Sequence, residues 1–254
     1  MSKARVEFMK PVALLQHDAM HRPGFLLECL EANGIAARTF QASDEDLSAL
    51  DATDFSGLVV LGSRCSANDN VPWIERELDL IGDALAHDVP VLGHSFGGHL
   101  LARSMGAQVW KAGGPTIGWS ALHVTPCGKP LFADAPRVMA FNWHRETFTI
   151  PRGATRTLFG QYALNEGYVH GRHLAFQCHL ELTEQMVVDW CRIGASELRQ
   201  ADGCAVQRAN EILAKMPGCL PMLQHAAQTV YRHWIAGLER PRFERVAMGA
   251  SEPR

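Results

Sequence analysis

The sequence predicts an α/β fold of three layers, in which a mainly parallel sheet lies between two layers of helices. Three observations lead to this prediction: short apolar runs, helical patterns that follow them, and glycines where one gives way to the other. Strand and helix alternate from Val12 to Met105, which is typical of βαβ units with parallel strands. With 254 residues and 47% hydrophobic content, the chain can bury a sizeable core.

The first elements follow from local patterns. Strands are predicted at four short apolar runs, residues 12–15, 58–61, 89–92 and 174–176. Helices are predicted at Gly24–Ala32, which Asn33-Gly34 would end, at Pro72–Ala86, which has proline in its first turn, and at residues 96–105, which Gly106 would end.

The second half of the chain has a different pattern. Shorter apolar runs between residues 109 and 177, including 121–124 and 138–141, predict antiparallel additions to the sheet. From 183 to 238 the pattern is helical, and the sequence Met-Pro-Gly-Cys-Leu-Pro at 216–221 predicts a break between two amphipathic helices. We therefore expect one domain at 1–190, a helical C-terminal extension at 191–240 packed on it, and a flexible tail at 241–254.

Charge and composition argue against several classes of function. The net charge of −3 provides no basic surface for nucleic acid, and no apolar run is long enough to span a bilayer. The seven cysteines form no C-x-x-C pair, and no signal peptide opens the chain, so we expect a cytoplasmic protein. His17 and His21 have i, i+4 spacing without a set of acidic or cysteine partners, so we expect neither a metal nor a cofactor.

The motif with the clearest chemical meaning is Gly93-His94-Ser95-Phe96-Gly97, a G-x-S-x-G turn between a predicted strand and a predicted helix. Such a turn holds its central side chain exposed, and its glycines permit a backbone that is too tight for a Cβ atom. Ser95 is therefore the candidate nucleophile. The backbone N–H of Phe96, at a helix N-terminus, is placed to stabilise an oxyanion.

A serine nucleophile needs a base and an acid that orients the base. His179 and Glu181 follow the predicted strand at 174–176, and a spacing of two puts both side chains on the same side of an extended chain. The predicted triad is therefore Ser95, His179 and Glu181.

These residues resemble motifs of the class I (triad) glutamine amidotransferases. The turn at Ser95 resembles that family's G-x-C-x-G-x-Q, and Phe-Gln-Cys-His-Leu-Glu at 176–181 is similar to its Q-x-H-x-E. Residues 61–69 resemble the family's oxyanion loop, 116–119 its I-G-W and 143–148 its W-H-G-D-x-F. The matches occur in the family's order over about residues 10–190. The resemblance implies a flavodoxin-like sheet and an oxyanion hole formed by the N–H groups of Gly62 and Phe96.

The chain also departs from the family pattern. Serine stands at position 95 where the family has cysteine, and His99 stands where it has glutamine. Since a thiol beside histidine can be largely thiolate, whereas a serine must lose its proton during attack, ordinary glutaminase activity is in question. Several departures occur together, which favours a natural serine over an engineered replacement of a single cysteine.

The departures lie around the expected substrate pocket. Residues at that pocket are predicted to contact substrate: Ser63, His99, His144, Arg145 and Glu146. Structural roles remain as alternatives, because Glu181 could cap a helix that begins near Leu182, His99 could pack in the core, and residues 144–146 could form a solvated loop.

Three functions are consistent with these patterns. The first is hydrolysis of glutamine, or of a related γ-glutamyl or small amide, through an acyl-enzyme on Ser95. The second is a catalytically weakened relative that binds a metabolite or partner, and the third is an esterase of the α/β-hydrolase type, whose nucleophile turn has the same pattern. The expected partners are a small-molecule amide, a separate synthase subunit if ammonia is transferred, and a second copy of the chain; neither nucleic acid nor membrane is expected.

Overall fold

The computed structural model describes residues 9–238, which form a nine-stranded sheet with helices on both faces and confirm the predicted fold class. In chain order the elements are β1 Val12–Gln16, α1 Gly24–Ala32, β2 Ala37–Gln41, β3 Gly57–Val60, α2 Pro72–Ala86, β4 Val91–His94, α3 Phe96–Ser104, β5 Val109–Val124, β6 Arg137–Phe148, β7 Thr155–Phe159, β8 Gly167–His170, β9 His173–Phe176, α4 Glu184–Ile193, α5 Ala195–Gln200 and α6 Ala209–Ala236. The predicted tail at 241–254 lies outside the described residues.

The sheet has a parallel and an antiparallel half, with strand order β2-β1-β3-β4-β9-β8-β7-β5-β6. The five strands from β2 to β9 run parallel, and the neighbours from β9 to β6 pair antiparallel. His94 pairs with Phe176 at the carboxyl ends of β4 and β9. Because these two strands end side by side, the segments that follow them meet at one edge of the sheet.

Side chains that alternate along the parallel strands build the core on both faces of the sheet. In β1, Val12 and Leu14 pack with residues of α1 and α6, whereas Ala13 and Leu15 pack with residues of α2 and α3. This alternation follows from the two-residue period of a strand. Burial on both faces explains why these strands are short, continuous apolar runs in the sequence.

The predicted break at 216–221 is wrong, because α6 continues through it for 28 residues and contains both Pro217 and Pro221. Each proline lacks an N–H and leaves one helix carbonyl without its usual partner. Both prolines lie on the exposed side of α6, where water can hydrate those carbonyls. On the opposite side, Met216, Leu220 and Leu223 are buried, so packing maintains the helix.

The helices and the cysteines also bear on the sequence predictions. None of the helices in residues 9–238 combines the length and the apolar character that a membrane span requires. All seven cysteines are free thiols.

Glu166, between β7 and β8, is a buried carboxyl group whose Oε2 has no hydrogen-bond partner among the described residues. Burial raises the pKa of Glu166 to about 8 from its ordinary value of 4.5. The folded chain therefore keeps this carboxyl protonated over a pH range in which the unfolded chain ionises it.

We predict that this carboxyl lowers the free energy of unfolding by about 1.4 kcal/mol for each pH unit between the two pKa values. Stability is therefore unaffected by the group below its unfolded pKa and falls as the pH rises towards about 8. Urea denaturation should show that Glu166→Gln removes this pH dependence and stabilises the protein most at alkaline pH. Equal effects of the substitution at acidic and alkaline pH would contradict the prediction.

Candidate functional site

The turn between β4 and α3 holds Ser95 in an uncommon conformation, with φ 52° and ψ −112°. Positive φ strains a residue that has a Cβ atom, so the surrounding structure must enforce it. The Ser95 N–H donates to the Phe176 carbonyl at 2.7 Å, which ties the turn to the end of β9. A Cβ atom on Gly97 would lie 2.0 Å from the Val60 carbonyl oxygen, and one on Gly93 would lie 2.6 Å from the Gly97 carbonyl oxygen. Glycine is therefore required at both positions.

His179 and Glu181 form a hydrogen-bonded pair in the segment after β9, as their spacing predicts. Nδ1 of His179 lies 2.7 Å from Oε1 of Glu181, and both side chains are fully buried. Burial alone would raise the pKa of Glu181, but the electrostatic interactions with the imidazoles of His179 and His94, and the hydrogen bond from His179, lower it to about 2. Because an ionised carboxylate only accepts hydrogen bonds, Nδ1 of His179 donates to Glu181, and in the neutral imidazole the lone pair is then on Nε2.

Ser95 is not hydrogen-bonded to His179 in this structure. Nε2 of His179 is buried and has no partner among the described residues. The nearby ring of Trp190 stands edge-on to this imidazole, with ring centroids 4.6 Å apart. His179 and Glu181 of the predicted triad are thus bonded to each other, and Nε2 of His179 has no partner among the described residues.

Of the two predicted oxyanion residues, Gly62 lies against the same histidine. The Gly97 N–H donates to the Leu61 carbonyl at 3.2 Å, which joins the start of α3 to the loop after β3. A Cβ atom on Gly62 would lie 3.0 Å from Cε1 of His179 and 2.4 Å from Cδ2 of His21. Gly62 therefore lies against the imidazole, and Phe96 begins the adjoining helix.

A buried ion pair supports this loop, and the sequence patterns did not identify it. Nε2 of His17 lies 2.9 Å from Oε1 of Glu77, and Nδ1 of His17 donates to the Gly62 carbonyl at 2.8 Å. Burial alone would lower the pKa of His17, but the charge and hydrogen bond of Glu77 and the bond to Gly62 raise it above 6.5. The imidazolium therefore fixes the orientation of the peptide that follows Gly62.

Three of the predicted substrate contacts lie together. Nε2 of His99 lies 2.8 Å from Oε1 of Gln177, and Nδ1 of His99 lies 3.7 Å from Oε2 of Glu146. His144 bonds through Nδ1 to the Glu146 carbonyl at 3.0 Å, and its Nε2 is buried without a partner among the described residues. Burial, with the charge of His99, lowers the pKa of His144 to about 3, so this imidazole is neutral. His99 and His144 are almost fully buried.

The other two predicted contacts are placed differently. Arg145 lies between His144 and Glu146 on β6, so its side chain points to the opposite face. Its guanidinium binds Glu197 of α5 at 2.9 Å and is half-exposed. Ser63 is partly buried in the loop after β3, where its Oγ accepts a hydrogen bond from the Cys65 N–H at 3.1 Å.

His94, the residue before Ser95, is fully buried between the strand ends and α6. Its Nε2 lies 3.3 Å from the hydroxyl of Tyr231, and its Nδ1 lies 3.7 Å from Oε2 of Glu181. The sequence patterns assigned a role neither to this histidine nor to Tyr231. In the sequence, His94 stands out as a polar residue at the end of an otherwise apolar strand.

His17 and His21 bind different carboxylates. His17 pairs with Glu77, whereas Nδ1 of His21 lies 2.9 Å from both carboxylate oxygens of Asp18. Within residues 9–238 no group of three or more histidine, cysteine, aspartate or glutamate side chains is arranged to hold a metal ion.

Comparison with known proteins identifies the class to which this fold and site belong. Residues 24–186 match the family model for glutamine amidotransferase class-I. A crystal structure of a glutamine amidotransferase from Methylobacillus flagellatus superposes with a TM-score of 0.89 at 36% identity, covering 92% of this chain and 98% of that one. The chain therefore belongs to the class I glutamine amidotransferase family.

Two more distant relatives agree with this assignment. The glutamine amidotransferase-like protein YfeJ of Salmonella typhimurium is 24% identical over 202 residues, which cover 76% of this chain and 84% of that protein. A glutamine amidotransferase from Thermotoga maritima has the same fold, with a TM-score of 0.80 at 23% identity over 90% of this chain and 99% of that one. The esterase alternative, which requires the α/β-hydrolase family, loses its support.

We predict that Glu77→Gln lowers the free energy of unfolding by about 2 kcal/mol, because it leaves the buried imidazolium of His17 without its counter-charge. Since the pKa of His17 is raised, the ion pair stabilises the fold fully below pH 6.5 and loses this effect as the pH rises through the raised value. Urea denaturation at several pH values measures both effects.

The matched control is Glu75→Gln, an exposed position on the same helix. It should change stability by less than about 0.5 kcal/mol. If Glu77→Gln and Glu75→Gln behaved alike, or if the effect of Glu77→Gln grew with pH, the ion pair would not support the loop as described.

Proposed function

We propose that this protein hydrolyses the carboxamide of glutamine, or of a related γ-glutamyl or small amide, through an acyl-enzyme on Ser95. The observation that carries the proposal is the buried His179–Glu181 pair, whose 2.7 Å bond leaves Nε2 without a partner, in the segment that follows the strand end to which the Ser95 turn is bonded. A base that is oriented by an acid and lacks a protein partner is what a serine nucleophile requires.

In the proposed first step, the hydroxyl oxygen of Ser95 bonds to the amide carbon while Nε2 of His179 takes the hydroxyl proton. The N–H groups of Phe96 and Gly62 bind the resulting oxyanion. Collapse of this intermediate breaks the carbon–nitrogen bond, and the proton on His179 passes to the departing ammonia. Water then attacks the acyl group with the same proton transfers, which releases the acid and restores Ser95.

The peptide orientation at the oxyanion loop supports this scheme. In a trans peptide, the carbonyl and the next N–H point in opposite directions. The bond from His17 to the Gly62 carbonyl at 2.8 Å therefore prevents the Gly62–Ser63 peptide, which carries the Ser63 N–H, from turning over, and it restrains the loop directly after the proposed Gly62 donor. A fixed donor loop stabilises developing charge without reorganisation during the reaction, which is the main source of electrostatic catalysis.

The second candidate is a weakened relative that binds an amide but turns it over slowly. It is favoured by the missing hydrogen bond between Ser95 and His179 and by the imidazole of His99 where the family has an amide. Catalytic hydrogen bonds often tighten only when substrate binds, so the first candidate is compatible with the same geometry. If ammonia is transferred rather than released, the acceptor site belongs to a separate synthase subunit.

Ammonia release from glutamine and a panel of γ-glutamyl amides tests the proposal. We predict turnover by the wild type and a loss of kcat of at least about 10³-fold in Ser95→Ala, since alanine has no hydroxyl to attack the amide carbon. The control is Ser56→Ala, which removes a buried serine hydroxyl outside the site and should leave kcat unchanged.

Two outcomes decide between the candidates. Equal turnover by wild type and Ser95→Ala would contradict the proposed nucleophile. No turnover by the wild type, with strong activity of Ser95→Cys, would establish the weakened relative instead.

A further inference from the structure

The triad acid has an oxygen that the triad does not use. Oε1 of Glu181 binds His179, whereas Oε2 is buried and has no hydrogen-bond partner within the described residues. An ionised carboxylate in an apolar interior needs positive partial charge at both oxygens. The polar group that faces Oε2 is Nδ1 of His94, at 3.7 Å.

The tautomer of His94 follows from its two neighbours. Burial lowers the pKa of His94, so its imidazole is neutral and carries one proton. Burial raises the pKa of Tyr231 well above its usual range, so the phenol keeps its proton. Because the carboxylate can only accept, the imidazole proton is favoured on Nδ1, and Nε2 then accepts the Tyr231 hydroxyl at 3.3 Å.

The titratable groups around Glu181 come from every element packed against it. They are His94 at the end of β4, Cys178 and His179 after β9, His21 before α1 and Tyr231 on α6. Burial raises the pKa of Cys178 and lowers that of His21, so both are neutral near pH 7. Nδ1 of His94 lies 3.7 Å from Oε2, and His94 also interacts with the backbone of Cys178.

We propose that Tyr231 and His94 are positioning residues for the triad acid: Tyr231 fixes the tautomer of His94, and His94 directs an N–H at Oε2 of Glu181, which keeps Oε1 turned towards His179. The inference rests on the proposed function and deepens it, because it makes α6 a support of the active site. The chain of contacts runs from Tyr231 through His94 and Glu181 to His179.

A purely structural explanation must be separated from this one. The ring of His94 stacks on Phe176 with centroids 6.1 Å apart and meets Tyr231 edge-on at 5.9 Å, so it also fills space beneath the turn. An apolar side chain of similar size would satisfy the packing but provide no N–H. The packing explanation therefore requires only a side chain of similar size at position 94, whereas the positioning explanation requires one with an N–H.

Three substitutions at His94 distinguish them. The amide nitrogen of asparagine can occupy the position of Nδ1, that of glutamine can reach the position of Nε2, and leucine provides neither. We expect His94→Asn to retain most of the wild-type kcat, whereas His94→Gln and His94→Leu lose about 10-fold with little change in KM. The matched control for buried phenols is Tyr168→Phe, whose hydroxyl lies 3.4 Å from the Gly98 carbonyl.

The pH profile provides a readout that a packing role would not change. Without an N–H at Oε2, the Glu181 carboxylate attracts protonated His179 more strongly. His179 therefore stays protonated up to a higher pH than in the wild type. In His94→Leu, the acid-side midpoint of kcat/KM should rise by about half a pH unit or more. Tyr231→Phe should shift it in the same direction, and Tyr168→Phe should not.

A measurement without substrate keeps this inference separate from the proposed function. The proton between Nδ1 of His179 and Glu181 should give a low-field NMR signal, assigned by its loss in Glu181→Gln. We expect the signal to persist in His94→Asn and to shift or broaden in His94→Leu. If the wild type releases no ammonia, the proposed function fails, but this signal still tests the positioning role. Equal signals in the Asn and Leu variants, or equal kcat in the Gln and Asn variants, would overturn it.

Discussion

The close approach of β4, α3 and β9 at Ser95 is the constraint on which the rest of the site depends. The Ser95 N–H reaches the Phe176 carbonyl at 2.7 Å, and this contact holds φ at 52°. The approach is tight enough that Gly93 and Gly97 admit no Cβ atom. Since β9 ends beside β4, the same contact sets the distance from Ser95 to the segment with His179 and Glu181. Backbone geometry, rather than side-chain contact, therefore ties the turn at Ser95 to the strand end three residues before His179.

Buried charge then organises what the backbone has brought together. Two carboxylates without solvent access, Glu181 and Glu77, each bind one histidine. Glu181 orients a histidine whose Nε2 remains unused, whereas Glu77 charges His17, which holds the Gly62 carbonyl. Two similar pairs thus hold His179 and the loop that contains Gly62. Charges in such an interior interact strongly, so removing one partner of a pair greatly lowers the free energy of unfolding.

The sequence was most informative where a local pattern determined the structure. The helices Gly24–Ala32 and Pro72–Ala86 have the predicted bounds because a glycine stop and an N-terminal proline act locally. The break at 216–221 was wrong because tertiary packing of α6 outweighs two prolines. The pairing of His17 with Glu77 depends on two elements that meet only in the fold, so no spacing rule identifies it. The exposed position of Arg145 likewise follows from the side-chain alternation of β6, which motif matching ignores.

Mass spectrometry of the acyl-enzyme tests most directly whether Ser95 carries the acyl group. The protein is mixed with a γ-glutamyl ester or anilide, quenched in acid and digested. We predict a mass increase of one γ-glutamyl group on the peptide that contains Ser95, and no such increase in Ser95→Ala. A γ-glutamyl group on another peptide, such as the one with the exposed Cys65, or no adduct together with steady turnover of the same substrate, would contradict it.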